Sequence, residues 1–162
     1  MARLLADPFR LCWLLAAISA GALAAAWAIE ASGYAPCPLC LYQRYPYYLA
    51  VPWLALTAVV GWPRLGLAVA ALLFLVDAGI AAWHSAVELG LLVLPQGCEA
   101  QGASQDLAEL KAAILATVPR CDQPALTILG LSLANWNLIL ALALAGLALS
   151  GLWRSRRRSG GT

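Results

Sequence analysis

Charge is scarce in this sequence: Asp, Glu, Lys and Arg make up 11% of its 162 residues, against 63% apolar residues. Soluble domains carry about a quarter of their residues charged, so this composition excludes a water-facing fold, and a mean hydropathy of +0.80 makes lipid the solvent. At about 20 residues per span, the apolar length admits several helices and leaves little for a separate soluble domain. Residues 1–162 therefore read as one domain. A large basic excess is also missing. The formal net charge is +2 and the arginines gather near the chain ends, which argues against a nucleic-acid partner and for charges that set orientation in a membrane. No internal repeat and no alternation of strands with helices is visible.

What the sequence has is four long apolar runs, at about 11–29, 41–62, 65–87 and 131–153, separated by polar stretches at about 30–44 and 88–130. They predict an all-α integral membrane protein, a bundle of four transmembrane helices. The first run competes with a secretory signal peptide, but it is longer than an apolar signal core of about 7–15 residues, and the later spans need it for their topology. Pro46 fits the first turns of the second span, whereas Pro52 should kink it. Gly61, Trp62, Pro63 and Arg64 form a tight link. In the second polar stretch Ser104 is a candidate N-cap, and Leu107, Leu110, Ile114 and Val118 recur at helical spacing, predicting a short amphipathic helix on the membrane surface.

Basic residues test the orientation. Arg3, Arg10, Arg64, Arg154, Arg156, Arg157 and Arg158 fall on one proposed side, and Arg44, Lys111 and Arg120 on the other. The excess marks the cytoplasmic side, so both termini are expected there. All five tyrosines, Tyr34, Tyr42, Tyr45, Tyr47 and Tyr48, fall where the first outer loop meets the second span, as an interfacial aromatic cluster should.

Four of the five cysteines lie in the outer polar stretches, a placement suited to an oxidising compartment. Cys37 and Cys40 form C-P-L-C, which is a redox dithiol, half a metal site or a staple. A thioredoxin-like setting needs a βαβ pattern, and c-type haem attachment needs His where Leu41 stands, so both fall away. A zinc site made with Cys98 and Cys121 is disfavoured because that second pair lacks the usual short spacing. Alone, Cys98 and Cys121 read as a staple worth about 3 kcal/mol on the chain-entropy model. Arg44 shifts the balance, because it stands one helical turn beyond Cys40 and near a helix amino terminus. Cation and helix end both favour thiolate, the species that attacks disulfides; the competing reading of Arg44 is an interfacial arginine reaching headgroups. His84 sits near the outer end of the third span with Asp77 and Glu88 on the same stripe. It is either a group that bonds a ligand carbonyl or shuttles a proton, or a satisfied interfacial histidine. Asp77 suggests an interhelical hydrogen bond, Glu88 a solvated helix end, and Cys12 a small packing residue.

The motifs C-P-L-C-L-Y-Q-R from Cys37 to Arg44, H-S-A-V-E-L from His84, and C-D-Q-P-A-L-T-I-L-G-L-S-L-A-N-W from Cys121 to Trp136, together with four spans, closely resemble the DsbB family of bacterial disulfide-bond formation proteins. The resemblance spans nearly the whole chain. It implies a quinone-linked thiol oxidase of the bacterial inner membrane that re-oxidises a periplasmic DsbA-like dithiol oxidase, with its redox loops in the periplasm. Two redox disulfides are implied, Cys37–Cys40 and Cys98–Cys121. Cys98 would form the mixed disulfide with the partner, Cys121 would exchange with Cys37, and Cys40 would face the quinone, ubiquinone or menaquinone, beside Arg44 and with His84 near. Such a relay needs a strong sink, because the dithiol oxidase itself lies at about −120 mV; no metal is implied.

Three alternatives stand beside this reading. Relatives of vitamin K epoxide reductase also carry cysteine pairs in a helical bundle, but their C-x-x-C belongs to a later helix, whereas here it follows the first span. A non-enzymatic scaffold would use its cysteines only as staples. A specialised relative serving another thiol partner fits Gln43, which stands where some relatives are expected to carry an acidic residue, and a slightly short loop between Cys98 and Cys121.

Overall fold

A computed structural model of the chain describes residues 7–93, 98 and 120–159. The amphipathic helix expected after Ser104, with Lys111, lies outside the described residues, as does Arg3. The order of elements is α1 (Pro8–Ala31), α2 (Pro38–Tyr42), α3 (Arg44–Val60), α4 (Pro63–Glu88), β1 (Thr127–Ile128), β2 (Leu131–Ser132) and α5 (Leu133–Ser159).

Local chemistry sets these boundaries. Asp7 caps α1, its side chain accepting the Phe9 N–H at 3.0 Å, and Pro8 occupies a first-turn position where no donor is needed. The apolar run expected at 41–62 is divided: a single turn, α2, precedes α3. Pro46 has no N–H to offer the Tyr42 carbonyl, so the hydrogen-bond ladder lapses there. Pro52 is accommodated inside α3. Gly61, at φ +88°, closes α3, and Pro63 opens α4.

The fourth helix starts two residues later than its apolar run. Thr127 pairs with Ser132 and Ile128 with Leu131 around a two-residue turn, Leu129-Gly130, whose φ values are both positive, 54° and 80°. Ser132 then begins the helix, its Oγ accepting the Asn135 N–H at 3.2 Å. The Trp136 indole donates to the Ile128 carbonyl at 3.0 Å and ties the hairpin to α5.

Among the described residues, three helices are long and apolar enough to cross a membrane: Pro8–Ala31, Pro63–Glu88 and Leu133–Arg157. α3, with 17 residues, spans about 26 Å at 1.5 Å per residue. α4 is the centre of the bundle, with 44% of its apolar window buried against 28% for α1 and for α5. Its buried face is rich in small residues, Gly66, Ala70, Ala71, Ala78 and Ala81, and its most extensive packing is with α5, whose own buried face carries Ala141, Ala145 and Ala148. Helices without a hydrophobic drive between them associate through such close approach. Leu11, Leu15, Leu54, Phe74 and Leu144 fill the core, while Val59, Leu72 and Trp62 stay exposed on the outside.

The helices alternate in direction. At one end the Cys12 thiol, fully buried as a packing residue, reaches the Pro63 carbonyl at 3.6 Å, and Arg64 donates to the Ser155 carbonyl at 2.7 Å. At the other end Trp27 donates to Tyr48 at 3.1 Å. Tyr42, Tyr45 and Tyr48 form an exposed outward chain of rings, but Tyr47 turns inward against Phe74 and is not part of that belt.

Candidate functional site: a buried dithiol beside a disulfide

All four loop cysteines meet at the second end of the bundle. Cys98 and Cys121 are joined as a disulfide with Cα atoms 5.4 Å apart. They share one buried cluster with Cys37, Leu39 and Val87, and Cys40 packs against it. Cys37 and Cys40 are unbonded, with their sulfurs 3.0 Å apart.

The two sulfurs differ in surroundings. Cys37 is the N-cap of α2, where its sulfur stands in for the usual capping oxygen and accepts the Cys40 N–H at 3.3 Å. His84 Nε2 lies 3.6 Å from the same sulfur. The shared proton with Cys40, opposed by burial and then assisted by His84, holds the Cys37 thiol well below its ordinary range. Cys40 is pushed upward by that same pairing, by burial and by the charge on Cys37. The sequence placed the stabilised thiolate at Cys40 under Arg44; the structure gathers the stabilising groups around Cys37. Pro38 follows directly and removes an N–H from the turn.

Arg44 extends its Nη1 to Glu30 Oε2 at 2.7 Å, tying the start of α3 to the end of α1, and the arginine side chain is only 12% exposed. Cys40 and Arg44 line the same cavity of about 390 Å³, walled by Leu23, Ala26 and Ile29 of α1, Tyr47 of α3, and Ala134, Trp136 and Leu140 of α5. Gln43 and Asn137 add polar groups to this otherwise apolar wall. A volume of this size, apolar with a few polar groups, is what a small lipophilic ligand needs.

His84 lies elsewhere. It is buried behind the dithiol, not on the cavity wall, with Nδ1 2.9 Å from Gln43 Nε2. Glu88 Oε1 lies 3.7 Å from His84 Nε2, and its side chain is only 9% exposed, which corrects the expectation of a solvated helix end. The interhelical hydrogen bond expected of Asp77 is present: Asn137 Nδ2 donates to Asp77 Oδ2 at 3.0 Å. Donor atoms of Cys37, Cys40 and His84 fall within 4.8 Å of one another, so a soft cation would find two sulfurs there and a nitrogen only if Nε2 carried no proton. Beside Cys121, exposed Arg120 forks onto Asp122 through Nε at 2.9 Å and Nη2 at 2.5 Å.

Sequence reasoning named the cysteines, Arg44 and His84 but missed three partners: Glu30, which holds Arg44, and Gln43 and Asn137, which link His84 to α5. Gln43 had drawn notice only as an unusual neighbour of Arg44, and Asn137 directly follows a quoted motif. An amide inside an apolar run was the available signal, since buried polar groups there need partners.

By fold and site this is a helical membrane protein with a buried dithiol packed against a disulfide. Residues 9–151 match the family described as Disulfide bond formation protein DsbB, and the chain belongs to that family. It is accordingly a multi-pass membrane protein and an oxidoreductase of disulfide-bond formation. An uncharacterized protein of Rickettsia prowazekii (strain Madrid E) is 30% identical over 123 residues, covering 68% of this chain and 67% of the relative. No solved structure matches.

Proposed function

We propose that this protein re-oxidises a periplasmic DsbA-like dithiol oxidase and delivers the electrons to a membrane quinone, as a four-span protein of the bacterial inner membrane with both termini in the cytoplasm. The observation that carries the reading is the continuity of sulfur and cavity: two cysteine pairs share one buried cluster, and one of their members, Cys40, opens onto an apolar cavity with Arg44 on its wall. A scaffold stapled by disulfides has no use for a dithiol facing such a cavity.

In this reading Cys98 exchanges with the partner's dithiol and Cys121 exchanges with Cys37. The net result is one disulfide made in the partner and two electrons left on Cys37 and Cys40. A quinone bound in the cavity would supply a lipophilic two-electron, two-proton acceptor. The cavity fits that chemistry, with aliphatic and aromatic walls for a ring and tail, and Arg44 to hold a carbonyl oxygen. The 3.0 Å sulfur contact lets the proton on Cys40 pass to Cys37, so that charge appears at the sulfur on the cavity wall.

Anaerobic titration of the purified protein with a reduced DsbA-type dithiol, with quinone absorbance recorded, tests this. Quinone should be reduced in proportion to dithiol added, and Cys40→Ala should abolish the change. Equal reduction by the variant would remove Cys40 from its role.

A further inference from the structure

A run of hydrogen bonds, part-buried at Asn137 and buried at His84, leads from the middle of α4 across α5 and back to the sulfur of Cys37. Asn137 sits at its hinge. Tyr47 donates its hydroxyl to Asn137 Oδ1 at 2.8 Å. The Asn137 amide nitrogen donates to Asp77 Oδ2 and to Gln43 Oε1, each at 3.0 Å. With its oxygen engaged by Asn137, Gln43 turns its own amide nitrogen to His84 Nδ1 at 2.9 Å. His84 Nε2 then faces the Cys37 sulfur at 3.6 Å.

The polarity of this run is fixed at its far end. A carboxyl oxygen that carries no proton accepts whether or not the group is ionised, so Asp77 Oδ2 takes the Asn137 NH2 group, and Tyr47 agrees by donating to the Asn137 oxygen. Each amide hands the same sense to the next. Gln43 must therefore donate to Nδ1, and an Nδ1 that accepts leaves the ring proton on Nε2, the nitrogen aimed at sulfur. Asp77 is fully buried, and its Oδ1 has no hydrogen-bond partner. A carboxyl so placed is costly inside a bundle, and a packing role alone would be met by leucine.

We infer that Asp77, Asn137 and Gln43 are positioning residues that hold His84 in its Nε2–H tautomer, so that the imidazole donates a hydrogen bond to the Cys37 sulfur. The consequence for redox chemistry rests on the reading of Cys37 given above, but the tautomer itself does not. The same tautomer denies a cation the third donor of the Cys37, Cys40 and His84 set. The groups facing the sulfur are Cys40 and His84, and Glu88 Oε1 lies 3.7 Å from the same Nε2, where an acceptor also favours the Nε2–H form.

The chain has one histidine, so 15N-histidine labelling of the full-length protein in lipid nanodiscs reports this ring alone. At neutral pH the reduced wild type should show Nδ1 bare and Nε2 protonated; a proton on Nδ1 overturns the inference at once. Gln43→Met and Asp77→Leu should each populate the other tautomer, and Asp77→Asn, whose amide oxygen can still accept from Asn137, should restore the wild-type pattern. In the same proteins the pH of half-maximal alkylation at Cys37, followed by peptide mass, should rise by about one unit, tenfold in thiolate, on loss of a hydrogen bond to a charged group. An unchanged tautomer in both Gln43→Met and Asp77→Leu overturns the inference. Loss of quinone reduction with the wild-type tautomer intact counts against the proposed function and leaves the positioning run standing.

Discussion

Cys37 and Cys40 are separated by two residues, yet their environments pull them apart. Cys37 caps a helical turn, accepts a backbone N–H and faces an imidazole, whereas Cys40 has a charged sulfur as its nearest neighbour and Glu88 beyond it. A thiol pulled below its ordinary value stays deprotonated as pH falls, so the sign of the effect is reactivity retained in acid. In reduced protein, alkylation of Cys37 by iodoacetamide should proceed at pH 6 nearly as fast as at pH 8. An ordinary thiol, with pKa about 8.5, slows roughly a hundredfold over that interval. Cys40 should resist alkylation across the same range. Peptide-resolved mass spectrometry measures both, and a Cys37 rate that falls like that of a free thiol would show that the turn and His84 do not hold the charge.

Among the elements, the hairpin between Ile128 and Leu131 carries the clearest local strain. Leu129 is 89% exposed and sits at φ 54°, a conformation that costs an L-residue about 1–2 kcal/mol and that asparagine tolerates better. Leu129→Asn should therefore stabilise the protein by up to about 1 kcal/mol, read as a higher midpoint in thermal unfolding in detergent. The opposite holds where α1, α3 and α4 close together. A Cβ at Gly66 would press into the Thr57 side chain and lie 3.4 Å from the Cys12 sulfur. Gly66→Val should cost about 1–3 kcal/mol through overpacking, and an unchanged midpoint would mean that this end of the bundle is loose. These same places mark the limit of what could be read in advance. Apolar runs and their flanking charges revealed the helices, because lipid imposes length and hydropathy on any span. The break before Pro46 and the hairpin at Leu129 stayed hidden inside apolar runs, because a missing N–H or a positive φ alters geometry without altering hydropathy. Motifs revealed the cysteines and Arg44. The run through Gln43, Asn137 and Asp77 did not show, since it depends on side chains brought together from three helices.

For the whole molecule, the alternation of helix directions puts every cysteine except Cys12 at one end and the Gly61–Arg64 link at the other. At the link end Arg64 and the carboxyl-terminal turn of α5 stand together, with Arg157 stacked 3.8 Å from the ring centre of Trp153. A cation over an exposed indole is an anchor suited to a membrane surface. If α3 crosses the bilayer despite its 17 residues, the turn that precedes it and the link that follows it must lie on opposite sides. A bundle lying with α3 on the surface would put them on the same side. Single cysteines placed at Tyr42 and at Trp62, both exposed, in a background whose five native cysteines are replaced, separate the two arrangements. In sealed right-side-out vesicles a membrane-impermeant maleimide should label Tyr42→Cys at once and Trp62→Cys only after permeabilisation. Labelling of both from outside would leave three spans, and labelling of Trp62→Cys alone would invert the molecule, placing its dithiol in a compartment that keeps thiols reduced and its relay without a partner to oxidise.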